Sequence, residues 1–169
     1  MARNVEIKAR LTKRSELEDR IVPIADSGPI VLKQIDQFYR VAEGRLKLRQ
    51  INGEHAELIF YRRSDAAGPK TSDYSRVPIV HPDQLSQLLT SALEPLGIVS
   101  KTRTLYLVGQ TRVHLDEVED LGNYLELEVV LDPSQTEVEG SEIAKNLMQT
   151  LGIRSEDLVE GAYIDHLTR

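Results

Sequence analysis

Charged and apolar side chains alternate along two segments near opposite ends of the sequence. Residues 4–8 read Asn-Val-Glu-Ile-Lys, and residues 124–128 read Tyr-Leu-Glu-Leu-Glu. Successive side chains of an extended strand point to opposite faces, so the charged residues of each segment share one face. Both segments are therefore predicted to be β-strands. A single strand commonly has one buried and one solvated face, but here the pattern is repeated along the chain.

Similar extended patterns predict six further strands, at residues 30–41, 45–49, 56–63, 70–78, 98–109 and 110–118. Asn52-Gly53 supplies a turn signal, which predicts a hairpin between the strands at 45–49 and 56–63. Helices are predicted at residues 13–24, 82–96, 141–151 and 155–167, with Gly97 as the C-cap of the second. The elements together predict a sheet of about eight strands with helices packed outside it.

Most of the polar positions on these predicted strands are fully charged. They are Glu6, Lys8 and Arg10, then Arg45, Lys47 and Arg49, then Lys70 and Arg76, then Lys101 and Arg103, then Arg112, His114 and Asp116, and finally Glu126 and Glu128. Strand faces that met only bulk water would include Thr, Ser and Gln freely. A sheet curled so that these faces converge would bring many like charges together, and their repulsion requires a bound anion and a metal ion.

The residue types indicate the chemistry of that ligand. Arginine forms two-pronged hydrogen bonds to phosphate, and lysine acts as a point charge. Carboxylates hold Mg²⁺ or Mn²⁺, which commonly bridges protein oxygens and substrate phosphates. The Glu126-x-Glu128 pair alone is weak support, because such pairs are common on solvated strands. Together with the basic strands, it predicts a metal-bound polyphosphate as the ligand.

Composition limits the alternatives. A length of 169 residues with 40% hydrophobic residues fits one domain spanning 1–169. The absence of cysteine excludes disulfides, thiol nucleophiles and thiolate metal sites. A net charge of −6 argues against nonspecific nucleic-acid binding. Because the sequence has neither a long apolar run nor a basic-then-apolar start, we expect a cytoplasmic protein that does not contact membranes.

Four motifs in a fixed order resemble those of the CYTH domain over essentially the whole chain. They are Asn4-x-Glu6-x-Lys8 in place of ExExK, Arg45-x-Lys47-x-Arg49, Lys101-Thr102-Arg103, and the run from Asp116 through Leu121-Gly122 to Glu126-x-Glu128. This fold is shared by class IV adenylyl cyclases, thiamine triphosphatases and inorganic triphosphatases. Each motif is loose by itself, whereas their order and spacing together are specific.

The resemblance implies an α+β fold: an eight-stranded antiparallel open barrel, or triphosphate tunnel, with a polar interior and helices packed outside. It implies Mg²⁺ or Mn²⁺ as cofactor, held by Glu6, Asp116, Glu126 and Glu128, with Asp116 alternatively orienting basic side chains. Glu6, Lys8 and Asp116 form the expected catalytic group. The implied phosphate-binding residues are Lys8, Arg45, Lys47, Arg49, Arg62, Lys70, Arg76, Lys101, Arg103 and Arg112.

The implied activity is that of a metal-dependent enzyme on a triphosphate, first of all an adenylyl cyclase that converts ATP to cyclic AMP and pyrophosphate. The alternatives are hydrolysis of tripolyphosphate, thiamine triphosphate or a nucleotide, and a noncatalytic nucleotide- or polyphosphate-binding module. The last is plausible because Asn4 stands where the family has its first glutamate. Sheets with exposed edges often protect them by pairing with another copy, so a homodimer is also expected.

Several positions have more than one interpretation. Strand parity is ambiguous at Arg62 and Arg63, since a one-residue bulge exchanges their faces, and Arg62 is favoured as the inward residue. His114 could transfer a proton or contact phosphate, although a lone strand histidine is more often structural. Tyr39 and Tyr74 could line a base or thiamine pocket, or simply pack in the core.

Overall fold

Eight antiparallel strands form the body of the computed structural model, which describes residues 1–168. The strands are β1 (Ala2–Arg10), β2 (Ser27–Tyr39), β3 (Arg45–Ile51), β4 (His55–Arg63), β5 (Lys70–Pro78), β6 (Pro95–Val108), β7 (Thr111–Val118) and β8 (Gly122–Val130). They follow the order β1-β5-β4-β3-β2-β6-β7-β8, and β8 pairs back with β1. The sheet is therefore a closed barrel, and the predicted eight-stranded fold is confirmed.

Four helices accompany the barrel. They are α1 (Arg14–Ile21), α2 (Pro82–Ala92), α3 (Glu137–Leu151) and α4 (Tyr163–Leu167), with 3-10 turns at Val22–Ile24 and Ser155–Asp157. Among residues 1–168 the longest helix has 15 residues, and none has the length and apolar character that a membrane span requires.

Three predicted helices have different bounds in the structure, and one of them, α3, begins at Glu137 instead of residue 141. Helix α2 ends at Ala92 because Leu93 is extended and Pro95 already starts β6, so Gly97 lies within a strand and caps no helix. A residue before proline is disfavoured in a helix, which explains the early end. The predicted helix at 155–167 is divided, since residues 158–162 are not helical.

One hydrophobic cluster lies outside the barrel, and a second, which includes Phe38 and Tyr61, lines part of the interior. Outward-facing Ile7 of β1, Leu115 of β7 and Leu127 of β8 are buried against α1 and α3. Helix α3 approaches the strands closely, since a side chain on Gly140 would meet Val5 and Leu131. Because the apolar faces are buried on the outside, the alternating charged faces must point into the barrel.

Closure of the barrel also bears on the predicted homodimer. Each strand within residues 1–168 pairs with two neighbours, so the sheet has no unpaired edge that a second copy would cover. The edge-pairing reason for a dimer is therefore removed. The homodimer itself stays a prediction.

Candidate metal and phosphate site

A cavity of about 230 Å³ occupies the interior of the barrel. Its lining contains eight basic residues and five acidic ones, in a chain whose net charge is −6. The basic residues are Lys8, Lys47, Arg49, Arg63, Arg76, Lys101, Arg103 and Arg112. The acidic residues are Glu6, Asp36, Glu57, Glu126 and Glu128. The inner face thus concentrates positive charge, which suits an anionic ligand.

Asp36 of β2 anchors the basic residues of β3. Strand register places Asp36 directly opposite Arg49, whose Nε and Nη2 each donate to its carboxylate over 2.7 Å. Lys47 Nζ donates to Asp36 Oδ2 over 2.9 Å, and Lys101 Nζ of β6 lies 3.9 Å from the same oxygen. One carboxylate therefore holds three cations in place around the cavity.

Asp116 of β7 has the equivalent position opposite Arg103 of β6. Arg103 Nε and Nη2 donate to the two Asp116 oxygens over 2.7 Å, and the Tyr163 hydroxyl of α4 donates to Oδ2 over 2.9 Å. Asp116 is 0% exposed and does not line the cavity. Its carboxylate is surrounded by donors and contacts Arg103 through both oxygens, which favours the predicted alternative that it orients basic side chains. Its roles as a metal ligand and catalytic group stay predictions.

The pKa values of these groups follow from burial and from their neighbours. Burial alone would raise the pKa of Asp36, but Arg49 and Lys47 outweigh it and hold the pKa well below its usual range. Arg103 and Lys101 likewise overcome burial and lower the pKa of Asp116. Both aspartates are therefore charged near neutral pH. In contrast, burial lowers the pKa of Lys8 to about 8, because nearby Glu126 compensates only in part.

The carboxylates of Glu6, Glu126 and Glu128, here called the carboxylate cluster, line the part of the cavity formed by β1 and β8. Register places Glu6 directly opposite Glu128, a like-charge pair that is unfavourable across two strands. Burial raises the pKa of Glu6, and repulsion from Glu128 adds to this while Arg63 opposes it. A cation between these residues would relieve the repulsion.

His114 of β7 lies opposite Glu126 and extends this group. Its Nδ1 is 3.5 Å from Glu126 Oε1 and 3.8 Å from Glu128 Oε1. One ligand atom each from His114, Glu126 and Glu128 lie within 4.8 Å of one another, a spacing that fits one metal ion. The residues present therefore suit the divalent cation that the resemblance implies.

The basic side chains reach into the carboxylate cluster from both sides. Arg63 Nη1 of β4 donates to Glu6 Oε2 over 2.6 Å. Lys8 Nζ lies 3.6 Å from Glu126 Oε2, and Arg103 Nη2 lies 3.4 Å from Glu126 Oε1. Metal and phosphate positions would therefore adjoin each other within one cavity.

The C-terminal segment closes one end of the barrel. The carbonyl oxygen of Gly161 accepts hydrogen bonds from Lys8 Nζ at 3.3 Å and from Arg63 Nη2 at 3.2 Å. The Tyr163 ring lies beneath Lys8, whose Nζ is 4.0 Å from the ring centroid. This segment therefore holds Lys8 and Arg63 in position at that end of the barrel.

The structure brings most predicted site residues to the cavity, namely Glu6, Lys8, Lys47, Arg49, Arg76, Lys101, Arg103, Arg112, Glu126 and Glu128. Their individual roles stay predictions. Arg76 lies at an exposed part of the lining, and Arg112 Nε lies 3.0 Å from Glu128 Oε2. Tyr74 also lines the cavity, whereas the hydroxyl of Tyr39 lies 3.5 Å from polar atoms of α2.

Three predicted phosphate ligands lie elsewhere. The Arg62 side chain is 58% exposed on the outer face, and Arg63 faces inward instead, because β4 runs without a bulge through Tyr61. Arg45 is held by Asp65 and Asp165 beside α4, outside the main cavity. Lys70 Nζ donates to the carbonyl of Ala66 over 3.0 Å and does not line the cavity.

Three residues that matter for the site were not identified from the sequence. Asp36 shares strand parity with the uncharged Gln34 and Phe38, so this face of the strand gave only a weak polar signal. Arg63 was weighed against Arg62 as the inward-facing residue but was not the one favoured. No local sequence pattern identifies Tyr163 as a site residue, because its hydrogen bond to Asp116 joins residues far apart in the chain.

A closed antiparallel barrel with a charged interior and helices outside defines the class of this protein. The chain belongs to the CYTH family, because the CYTH domain family model matches residues 2–163. The sequence-based prediction of the family is thereby confirmed. A comparison with curated protein sequences finds no match.

Several solved structures have the same fold. The PH1012 protein from Pyrococcus horikoshii OT3 has a TM-score of 0.85 at 22% identity, over 96% of this chain and 98% of that one. A Vibrio parahaemolyticus protein provisionally described as an adenylate cyclase has a TM-score of 0.82 at 20% identity, over 98% of both chains. A Hippeastrum protein with a dominant triphosphatase activity has a TM-score of 0.64 at 17% identity, over 94% and 91%. At these identities the likeness concerns the fold alone.

Replacement of Asp36 tests whether its carboxylate holds the basic inner face together. Asp36→Asn leaves Lys47, Arg49 and Lys101 without their shared partner, so the free energy of unfolding should fall by about 3–5 kcal/mol at neutral pH. Urea unfolding measures the change. The control is Asp65→Asn, which removes a carboxylate that is 65% exposed and pairs with Arg45, and should cost about 1 kcal/mol or less. Equal losses in the two variants would contradict the anchoring role of Asp36.

Proposed function

We propose that this protein is a metal-dependent enzyme that cleaves a phosphoanhydride bond of a triphosphate bound inside the barrel. The proposal rests on one observation: basic side chains and carboxylates line the same cavity. Eight basic side chains and the carboxylate cluster line the same space, so a polyanion and a divalent cation can each find suitable partners side by side. Membership of the CYTH family supports an activity of this type.

The arginines are arranged to bind phosphate without losing their anchors. Arg49 and Arg103 each use Nε and Nη2 toward an aspartate, which leaves Nη1 for a ligand oxygen. Because the aspartates fix both guanidinium groups before substrate arrives, little reorganisation is required when negative charge develops. Lys8, Lys47 and Lys101 add point charges to the same cavity.

The carboxylate cluster has a different role. Glu6, Glu126 and Glu128 would hold Mg²⁺ or Mn²⁺, and the ion when bound would supply positive charge that polarises phosphoryl oxygens. The Glu6 carboxylate lies opposite Glu128 across β1 and β8, so the ion would also relieve the repulsion between these two residues. Arg63 holds this carboxylate in position over 2.6 Å.

Cavity size favours hydrolysis of a triphosphate over cyclisation of ATP. The cavity volume of about 230 Å³ lies below the roughly 300 Å³ at which pockets for drug-sized ligands begin. A phosphate chain requires less of this volume than a whole nucleotide does. Adenylyl cyclase activity remains the second candidate, because Phe38 and Tyr74 line the cavity and offer aromatic surface to a base.

Product analysis tests the proposal and separates its two forms. The purified protein is incubated with Mg²⁺ or Mn²⁺ and, in turn, tripolyphosphate, ATP or thiamine triphosphate. We expect phosphate release to require the metal and to be fastest with tripolyphosphate, which has no organic group that the cavity must also hold. Formation of cyclic AMP from ATP would instead identify a cyclase. Absence of turnover with all three substrates would overturn the enzyme proposal in favour of a binding module.

A double substitution tests the proposed metal ligands. Glu126→Gln with Glu128→Gln keeps the size of both side chains but removes two negative charges, so metal-dependent turnover should fall by at least roughly 100-fold. Circular dichroism would check that the fold is retained. Glu117→Gln with Glu119→Gln is the matched control, because these exposed residues have the same spacing but do not line the cavity. Normal metal-dependent turnover in the first variant would refute the ligand assignment.

The lowered pKa of Lys8 predicts proton uptake on binding. With a pKa of about 8, Lys8 is largely neutral at pH 8.5 in the free protein, and an adjacent polyphosphate favours its charged form. Binding of tripolyphosphate should therefore take up protons, and its affinity should fall as the pH rises above 8. Calorimetry at pH 8.5 in buffers of different ionisation enthalpy measures the uptake. Lys8→Arg, which stays charged, should take up fewer protons, and an unchanged value would contradict the prediction.

A further inference from the structure

His114 is a buried side chain with an unused ring nitrogen. The side chain is 5% exposed and lies on the inner face of β7, opposite Glu126 of the carboxylate cluster. Within residues 1–168, Nδ1 is enclosed and has no hydrogen-bond partner. A buried polar atom without a partner is unfavourable, so its position requires an explanation.

The neighbouring carboxylates do not satisfy this nitrogen. Glu126 Oε1 lies 3.5 Å away and Glu128 Oε1 lies 3.8 Å away, whereas N–H···O hydrogen bonds typically span about 2.7–3.2 Å. Both oxygens point toward the same small space as Nδ1, since the three ligand atoms lie within 4.8 Å of one another. Separations of this size are those expected when two or more atoms surround one ion from different sides.

We propose that His114 Nδ1 joins Glu126 and Glu128 as a ligand of the divalent cation, and that the site consequently prefers Mn²⁺ to Mg²⁺. The inference rests on the proposed function in that it uses the same metal site. It goes further by assigning a nitrogen ligand and by choosing between two metals that the carboxylates alone do not distinguish.

The preference follows from the ligand set. Mg²⁺ favours an all-oxygen environment, while imidazole suits transition metals, and affinity for a mixed nitrogen and oxygen site is expected to be higher for them. The acidic side of the cavity also has fewer charges than the ExExK motif would supply. Asn4 offers a neutral carbonyl oxygen, which is buried and has no partner among the described residues. The nitrogen ligand and the missing negative charge at residue 4 both disfavour Mg²⁺, a hard ion that is held mainly by negatively charged oxygen ligands.

Pulsed EPR of Mn²⁺ bound to the wild-type protein tests the nitrogen ligand directly. Spectra are recorded with MnCl₂ alone and with MnCl₂ plus a methylene-bridged triphosphate analogue, which resists hydrolysis and contains no nitrogen. We expect a ¹⁴N coupling from a directly bound imidazole in at least one sample. Its absence from both would overturn the proposal, and so would a failure of Mn²⁺ to bind. No variant is needed, so the result does not depend on how well a mutant folds.

Calorimetric affinities of Mn²⁺ and Mg²⁺ for the same samples test the selectivity. In the wild type we expect Mn²⁺ to bind roughly tenfold or more tightly than Mg²⁺, with the ratio falling several-fold in His114→Asp, which supplies oxygen in place of nitrogen. His81→Asp is the matched control, because His81 is exposed and lies outside the cavity. An unchanged ratio in His114→Asp would contradict the proposal.

Both measurements remain informative whatever the activity assays show. Turnover without nitrogen coupling would leave the proposed enzyme function standing and reject His114 as a ligand. Nitrogen coupling without turnover would support the metal site while rejecting catalysis.

Discussion

The inner face of this barrel depends on ion pairs set by strand register. Asp36 and Arg49 lie opposite each other on β2 and β3, and Arg103 and Asp116 do so on β6 and β7. Each pair has two contacts of 2.7 Å and is almost fully buried. Burying a charge is costly unless it is paired and hydrogen-bonded, so these two aspartates make a charged interior possible.

The arrangement separates two kinds of carboxylate. Asp36 and Asp116 are committed to arginine and lysine, and their pKa values are held low by those cations. Glu6 and Glu128 face each other across β1 and β8, and the pKa of Glu6 is raised. The first kind fixes the basic side chains in advance, and the second leaves negative charge available to a cation. A metal-bound triphosphate matches both at once, whereas a simple anion or a simple cation would match only one.

Much of this architecture could be predicted from the alternation of charged and apolar residues. The pattern is strict where both faces are distinctive, as in β3 and β8. Lys47, Arg49, Glu126 and Glu128 line the cavity as predicted, whereas Arg45 at the start of β3 lies outside it. The pattern was insufficient in β4, where the inward residues Glu57, Ile59 and Tyr61 include two without charge, so parity at Arg62 and Arg63 could not be read. The favoured residue, Arg62, was the wrong one.

Contacts between distant parts of the chain account for the remaining differences. The role of Asp116 depends on hydrogen bonds from Arg103 in the neighbouring strand and from Tyr163 near the C-terminus. No local sequence pattern predicts contacts between residues so far apart in the chain. Asp36 was missed because its neighbours on the inner face, Gln34 and Phe38, are uncharged. His114 is recognisable as a ligand candidate only when Glu126 and Glu128 are seen beside it.

The central claim is that one cavity inside the barrel holds both a triphosphate and a divalent metal. A crystal structure of the protein soaked with imidotriphosphate and Mn²⁺, with diffraction data that record the anomalous signal of manganese, tests it most directly. We predict an anomalous peak beside Glu126 and Glu128 and phosphate density that contacts Arg49 and Arg103. Phosphate density confined to the outer surface, with no manganese inside the barrel, would contradict the account.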